Sequence, residues 1–230
     1  KESKALIKTL RQLEPSDIGS LMGISDKLAT LNHDRYAHWS AKFDDASGAR
    51  ASLLAFKGDV YLGLDAQTLS KRDFTWAQKR LRVLSGLYGL LRPLDRIHPY
   101  RLEMGTALRN TAGKDLYEFW GGKVTQALNE ALSGQRSKVL INLASNEYYK
   151  VVQAQNIDGR IVTINFKEWR RDAYRFVSFS AKKARGLMAR YMIDQRAEKA
   201  DDLKTFDVEG YAFNEELSSR DEWIFTRHID

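Results

Sequence analysis

Residues 161–196 read IVTINFKEWRRDAYRFVSFSAKKARGLMARYMIDQR, and the change of periodicity within them decides the fold class. Residues 161–166 and 175–180 are β-branched and aromatic runs on either side of a polar break at 167–173, which is typical of a β-hairpin. Residues 181–196 return to helical spacing. The apolar stripe of this helix is Ala184, Leu187, Met188, Tyr191 and Met192. A helix that follows a hairpin favours an α+β fold over regular βαβ winding.

The chain before this stretch is predicted to be helical, with one buried strand. Residues 73–91 and 115–132 carry apolar side chains at near-helical spacing, and Gly134 ends the second run. Residues 139–144, VLINLA, are short and apolar, as expected of a buried strand. Because no Gly/Ser-rich linker divides the chain, we expect residues 1–230 to form a single compact mixed domain with a central sheet and surrounding helices.

Positive charge is concentrated in two parts of the chain, whose net charge is +7. Residues 71–114 carry ten basic and three acidic side chains, and residues 150–196 carry eleven and four, so each block has a net charge of +7. Residues 197–230 carry four basic and ten acidic side chains, a net charge of −6. One interpretation is a solvated surface with scattered charges. The other is one or two positive patches that face a polyanion.

Composition excludes several classes of protein. The absence of cysteine excludes disulfides, thiolate metal sites and cysteine nucleophiles, and it favours an intracellular, cytoplasmic location. No apolar run approaches the ~18 residues that span a bilayer, and no signal-peptide pattern opens the chain, so we expect no membrane partner. The sequence starts at Lys1 without methionine, and we therefore expect that an N-terminal piece is missing.

The first candidate site is RLRVLSGLYGLLRP at residues 80–93. Gly86 and Gly89, flanked by arginines, resemble the hairpin of a helix-hairpin-helix module, which we place at about 73–95. Such a hairpin needs glycine because the backbone turns through positive φ and its amides approach a phosphate closely. The alternative is a plain helix whose glycines permit close packing.

The second candidate is the polar face of the helix at 181–196, where almost no acid interrupts the cations, a pattern that suits phosphate contacts. These cations are Lys182, Lys183, Arg185, Arg190 and Arg196. The third candidate is residues 142–150, where polar groups follow a buried strand. There, an ion pair between Glu147 and Lys150 that fixes a loop is the alternative interpretation.

Catalytic patterns are weak by comparison. His33, His38, His98 and His228 lack metal-ligand spacing, and no P-loop, dinucleotide fingerprint or nucleophile elbow is present. Glu103, Glu147 and Asp115 are candidates for an acid/base or metal site only because carboxylates do such work in general. The sequence therefore favours a binding protein over an enzyme, with no cofactor.

Several segments together resemble one known family, the bacterial peroxide stress resistance protein YaaA. They are KGDVY at 57–61, LSGLYGLLRPLD at 84–95, PYRLEMG at 99–105, GKDLY at 113–117, NLAS at 142–145, AKKARGLM at 181–188 and GYAF at 210–213. The likeness runs from about Leu21 to the C-terminus. It lacks the family's N-terminal strand and its Pro-Ala-Lys-Thr-Leu segment, so any site that uses that segment is in doubt.

The resemblance implies a mixed α/β fold with a helix-hairpin-helix element, a positively charged cleft that binds DNA, and a role in limiting iron-dependent damage during hydrogen peroxide stress. By position, it implies that the hairpin residues of the DNA site are Ser85, Gly86, Tyr88, Gly89 and Arg92. The basic residues that it implies are Lys57, Arg82, Arg101, Lys150, Lys182, Lys183, Arg185 and Arg190.

Three functional hypotheses follow. The first is a monomeric DNA-binding protein with little sequence preference, in which Arg82, Arg92 and Arg101 share one concave surface with Lys182, Lys183 and Arg185. The second is an enzyme that acts on nucleic acid or a phosphorylated small molecule through Glu103, Glu147 and Lys150. The third is a direct iron-binding protein that uses the acidic tail, whose members are Asp201, Asp202, Glu209, Glu215, Glu216, Asp221 and Glu222. A solvated, charge-balancing face is the simpler interpretation of that tail.

Overall fold

The computed structural model describes residues 1–44 and 46–229. The helices are α1 Glu2–Leu10, α2 Pro15–Met22, α3 Asp26–His38, α4 Ser52–Ala55, α5 Asp59–Leu64, α6 Lys71–Arg80, α7 Leu116–Trp120, α8 Lys123–Ser133, α9 Asn146–Tyr149 and α10 Ser178–Asp194. The strands are β1 Arg50–Ala51, β2 Val83–Ser85, β3 Gly89–Leu91, β4 Arg96–Ile97, β5 Val139–Asn142, β6 Arg160–Arg170, β7 Ala173–Arg175, β8 Ala212–Phe213 and β9 Glu222–His228. The α+β class is confirmed.

Internal contacts divide the chain into two compact units. The first unit comprises Lys1–Ala55, Leu81–Thr125 and Ser145–Gln153. The second comprises Phe56–Arg80, Gln126–Ala144 and Ala154–Asp230. The expectation of a single domain stays a prediction.

The first unit is helical, with two small antiparallel ribbons, β1–β4 and β2–β3. A reciprocal capping box opens α2, because the Asp17 carboxylate accepts from the Glu14 amide at 3.0 Å and the Glu14 side chain accepts from the backbone in return. Buried Leu6, Ile7 and Leu10 form one face of α1. The core of this unit therefore comes from amphipathic helices.

The second unit is built on a mixed sheet with the order β5-β6-β9-β8, and β7 pairs with β6. Strands β5, β6 and β9 run parallel, whereas β7 and β8 are antiparallel to their neighbours. Along β6 every second side chain is buried, including Val162, Ile164 and Phe166. Ala184 and Met188 of α10 belong to the same core cluster, so the helix packs on the sheet as its apolar stripe predicts.

Close packing of α10 against α5 depends on two glycines. A Cβ on Gly186 would overlap the Val60 carbonyl oxygen and would stand 2.8 Å from the Leu64 amide nitrogen. A Cβ on Gly63 would overlap the Lys183 carbonyl oxygen. Because these neighbours are backbone atoms that cannot move aside alone, only glycine permits this approach.

The structure corrects several predicted boundaries. The predicted hairpin exists, but its turn is the two residues Arg171 and Asp172, both at positive φ, and α10 begins at Ser178. The predicted helix 115–132 is two helices, because α7 ends at Trp120 and the next residue, Gly121, has a φ of 48°. In the described part of the chain, no helix is both long enough and apolar enough to cross a membrane.

The helix-hairpin-helix-like element predicted at about 73–95 is wrong. Helix α6 ends at Arg80, a β-hairpin formed by β2 and β3 follows, and the chain continues into β4. Leu81, Leu84 and Leu91 have near-helical spacing, but Leu84 and Leu91 lie on the two paired strands of the hairpin, so their spacing does not come from a helix. The turn residue Gly89, with φ of 74°, breaks the helical backbone and joins a three-residue loop to β3.

Candidate nucleic-acid interface

The predicted phosphate-binding hairpin is buried. Ser85, Gly86 and Gly89 are all buried, and Tyr88 is half-buried. The Tyr88 hydroxyl accepts from the Trp39 indole at 3.0 Å and from the His98 amide at 3.2 Å, and burial raises the pKa of Tyr88. These contacts assign Tyr88 to the core of the first unit.

The two hairpin glycines serve close packing, which was the alternative interpretation. A Cβ on Gly89 would stand 2.6 Å from the Trp120 ring, and a Cβ on Gly86 would overlap the Leu102 carbonyl oxygen. The Trp120 indole donates to the Gly86 carbonyl oxygen at 2.9 Å. Because Gly86 and Gly89 are buried against protein, no described observation supports the expectation that the hairpin amides approach a phosphate.

The basic arc of α10 is largely neutralised or buried. Lys183 is ion-paired with Glu209, and the Nε of Arg190 lies 2.9 Å from the Asp194 carboxylate. Arg185 is 8% exposed, so its place on an open arc is wrong, because α10 is covered on more than its sheet-facing side. Lys182 is exposed as predicted.

The other predicted basic residues have varied surroundings. Lys57 and Lys150 are exposed, and the Lys150 ammonium lies 4.7 Å from the centre of the Tyr117 ring. Arg92 is ion-paired with Asp95 at 2.9 Å. Burial, followed by the charge of Arg92, lowers the pKa of Arg82. Because Arg82, Arg92 and Arg101 lie in the first unit and Lys182, Lys183 and Arg185 in the second, one shared surface stays a prediction.

The carboxylates of the enzyme hypothesis have structural partners. Glu103 is ion-paired with Arg101 at 2.7 Å, and Glu147 accepts from the Gly105 amide at 2.9 Å. Burial, followed by the charges of Glu147 and Glu103, raises the pKa of Tyr148 to about 12. The Glu147 carboxylate binds the Gly105 amide, and the Lys150 ammonium lies over the Tyr117 ring. These contacts replace the ion pair that was considered between Glu147 and Lys150.

Three members of the acidic tail, Asp201, Glu209 and Asp221, are paired with cations. Asp201 lies 2.7 Å from the Lys204 ammonium, and Asp221 lies 2.7 Å from the Arg160 guanidinium. Within residues 1–44 and 46–229, no three or more histidine, aspartate or glutamate side chains are grouped to hold a metal ion. The described tail thus fits a charge-balancing face.

An open pocket of about 360 Å³ beside α6 in the second unit is lined mainly by cations. We call it the α6 pocket. Its lining residues are Lys71, Arg72, Thr75, Trp76, Lys79, Arg80 and Arg196. Five of these seven are cations, and they come from both basic blocks of the sequence.

An aromatic ring lies among these cations. The Arg80 guanidinium is 4.7 Å from the centre of the Trp76 ring, and the Arg196 guanidinium is 5.8 Å from it. Arg196 also pairs with Asp73, the acid of the first turn of α6. Hydrogen bonds from Ser70 and Arg196 lower the pKa of Asp73 to about 2, so this carboxylate stays ionised and compensates one of the five cations.

The α6 pocket was not among the predicted site residues, although its signal is visible in the sequence. Lys71, Thr75 and Lys79 recur at i, i+4 and i+8, and Arg72, Trp76 and Arg80 do the same one residue later. Ser70 and Asp73 hold the helix start by reciprocal bonds of 3.3 and 2.7 Å, which fixes where that face begins.

Comparison with known proteins identifies the family. A family model described as "Peroxide stress protein YaaA" matches residues 1–217. This chain belongs to that family. The resemblance seen in the sequence is confirmed, and membership in the peroxide stress protein YaaA family places the chain in the peroxide stress response.

Relatives of similar length support the assignment to the YaaA family. A UPF0246 protein of Ralstonia nicotianae is 56% identical over 98% of this chain and 87% of its own length. A UPF0246 protein of Saccharophagus degradans is 53% identical over 98% of this chain and 88% of its own length. A UPF0246 protein of Alteromonas mediterranea is 53% identical over 99% of this chain and 87% of its own length. The similarity therefore covers nearly the whole chain.

Proposed function

We propose that this protein binds DNA with little sequence preference and that the α6 pocket is a principal contact surface. One observation carries the proposal: the pocket gathers five cations against one carboxylate. Among the described residues, no carboxylate lies within ion-pair distance of Lys71, Arg72 or Lys79. Unpaired cations release DNA counterions when they meet phosphates, which supplies affinity independent of sequence.

The geometry of α6 suits a phosphate backbone. Lys71 and Lys79 are eight residues apart on one face, which corresponds to about 12 Å along the helix axis. Side chains at this spacing can reach more than one phosphate of the same duplex, whereas Trp76 between them offers a ring to an unpaired base. A face rich in Lys and Arg fixes position on the backbone rather than reading base edges.

Changing Lys71 and Lys79 together to glutamine is expected to reduce the salt dependence of DNA binding. Each lost phosphate contact removes about 0.9 from the slope of log affinity against log salt, so the slope should fall by about 2. The fall should be equal for two duplexes of unrelated sequence. Fluorescence anisotropy at several salt concentrations measures it.

The matched control is the double change of Lys114 and Lys204 to glutamine. It alters net charge by the same amount, but these lysines are paired with Glu118 and Asp201. We expect their loss to leave the slope nearly unchanged. Equal slopes for the folded Lys71/Lys79 variant and the wild type would rule out the α6 pocket as the contact surface.

We further propose that this binding limits iron-dependent oxidative damage to DNA. Cations bound to DNA are displaced when protein cations neutralise its phosphates, and Fe²⁺ is among the cations that such phosphates attract. In the presence of Fe²⁺ and hydrogen peroxide, a saturating concentration of the wild-type protein should reduce the nicking of a supercoiled plasmid relative to plasmid without protein. The Lys71/Lys79 variant should protect less at the same concentration, and equal protection by both would separate iron limitation from the α6 pocket.

A further inference from the structure

Arg185 of α10 is a buried cation without a protein partner. It is 8% exposed, and its Nε has no hydrogen-bond partner. Among the described residues, no carboxylate lies within ion-pair distance of it, and burial alone acts on its pKa, which it lowers. A buried guanidinium normally pairs with an anion, because leaving its charge uncompensated is costly. This orphan points to an anion that the chain itself does not supply.

The surroundings of Arg185 on the helix suit such an anion. Ser178 and Lys182 precede it by seven and three residues, so the three lie on one face of α10. Because helical side chains lean toward the N-terminus of their helix, we expect Arg185 to extend toward Lys182 and the first turn. Val177 provides no side-chain cap, so amides of that turn are available at the positive end of a 17-residue helix.

Glu168, which bonds a residue of this turn, is already occupied by two arginines. Glu168 bonds the Ser180 hydroxyl, but its two oxygens also accept from Arg170 and Arg227 at 2.8 Å each. It therefore leaves Lys182 and Arg185 uncompensated.

We propose that Arg185 and Lys182, with amides of the first turn of α10, bind a phosphomonoester. Because the Arg185 residue is only 8% exposed and its Nε is buried, a terminal phosphate reaches this guanidinium more easily than the middle of a stiff duplex backbone does. Two cations match the charge of a phosphomonoester, which is about −1.5 to −2 at neutral pH. Phe179, 61% exposed in the first turn, offers a ring on which a base can stack. The carrier is a nucleoside 5′-phosphate, either free or at a DNA end, and the site shares no residue with the α6 pocket.

Calorimetric titration of the full chain with dAMP, and with deoxyadenosine for comparison, tests the site. We expect dAMP to bind and deoxyadenosine to bind at least tenfold more weakly, because charge-assisted hydrogen bonds to the phosphate are lost. Arg185→Met should weaken dAMP binding at least tenfold. Arg175→Met, which removes an exposed arginine of the same unit, should change it less than twofold. Arg185→Met should also leave the melting temperature of the ligand-free protein unchanged or raised, because it removes an unpaired buried charge.

Two further arms complete the test. Duplexes with a 5′-phosphate or a 5′-hydroxyl distinguish a DNA end from a free nucleotide as the carrier. If Arg185→Met does not fold, Lys182→Gln changes an exposed side chain and should still weaken dAMP binding severalfold. The proposal is overturned if neither dAMP nor the 5′-phosphorylated duplex is preferred over its phosphate-free counterpart, or if the folded variants bind as the wild type does. These outcomes differ from failure of the α6 pocket as the contact surface, which would appear as an unchanged salt slope of the Lys71/Lys79 variant on every duplex.

Discussion

Gly186→Ala is expected to lower the free energy of unfolding by about 3 kcal/mol, at the upper end of the usual range for overpacked sites. The new Cβ would overlap the Val60 carbonyl oxygen and stand close to the Leu64 amide, so α5 and α10 must separate. Alanine adds about 1 kcal/mol of helix propensity over glycine, which is too little to offset the clash. For a chain of this size, thermal unfolding should show a midpoint roughly 6–12 °C lower.

Gly134→Ala is the control for this prediction, because a Cβ there would have its nearest neighbour, the Ala131 carbonyl oxygen, at 3.9 Å. Its effect should lie within about 0.5 kcal/mol. If Gly186→Ala melted as the wild type does, α5 and α10 would not be in the tight contact described above.

Glu168→Gln is expected to destabilise the second unit by about 3 kcal/mol. Glu168 is 1% exposed, and its oxygens accept from Arg227 and Arg170 at 2.8 Å each. A glutamine of equal size turns an NH2 group toward guanidinium donors and leaves their charges without compensation. We place the loss at the low end of the range for broken buried pairs because the Arg170 side chain is 51% exposed.

The effect of Glu168→Gln should depend on pH. Burial acts to raise the pKa of Glu168, but the bonds from Ser180, Arg227 and Arg170 together lower it below its usual value. A carboxylate with a lowered folded-state pKa stabilises fully above its unfolded pKa of about 4.3, and this contribution is lost as the pH falls through the folded pKa. The stability difference between wild type and variant should therefore shrink below about pH 4.

Glu222→Gln makes the same chemical change at an exposed position of β9, and we expect its effect on stability to be near zero. Denaturant unfolding at pH 7 and pH 3.5 measures both variants. A difference for Glu168→Gln that did not change with pH would assign its effect to packing rather than to charge.

The sequence by itself determined the α+β class and the family. Alternating burial along β6 and the apolar stripe of α10 are local periodicities, and each was visible in the residues that carry it. The family is confirmed because long segments match in order over almost the whole chain. The charge blocks also pointed to the region in which Lys71 to Arg80 and Arg196 line one pocket.

Tertiary structure alone decided which cations are available to a ligand. Lys183 is neutralised by Glu209 and Arg196 by Asp73, which are far away in the chain, so spacing along one helix could not reveal either pair. Arg185 is buried by packing that its own helical periodicity does not encode. The roles of Gly86 and Gly89 likewise depend on Leu102 and Trp120. Periodicity reports which face of an element is apolar, whereas ion pairing and close backbone approach depend on which distant residues that face meets.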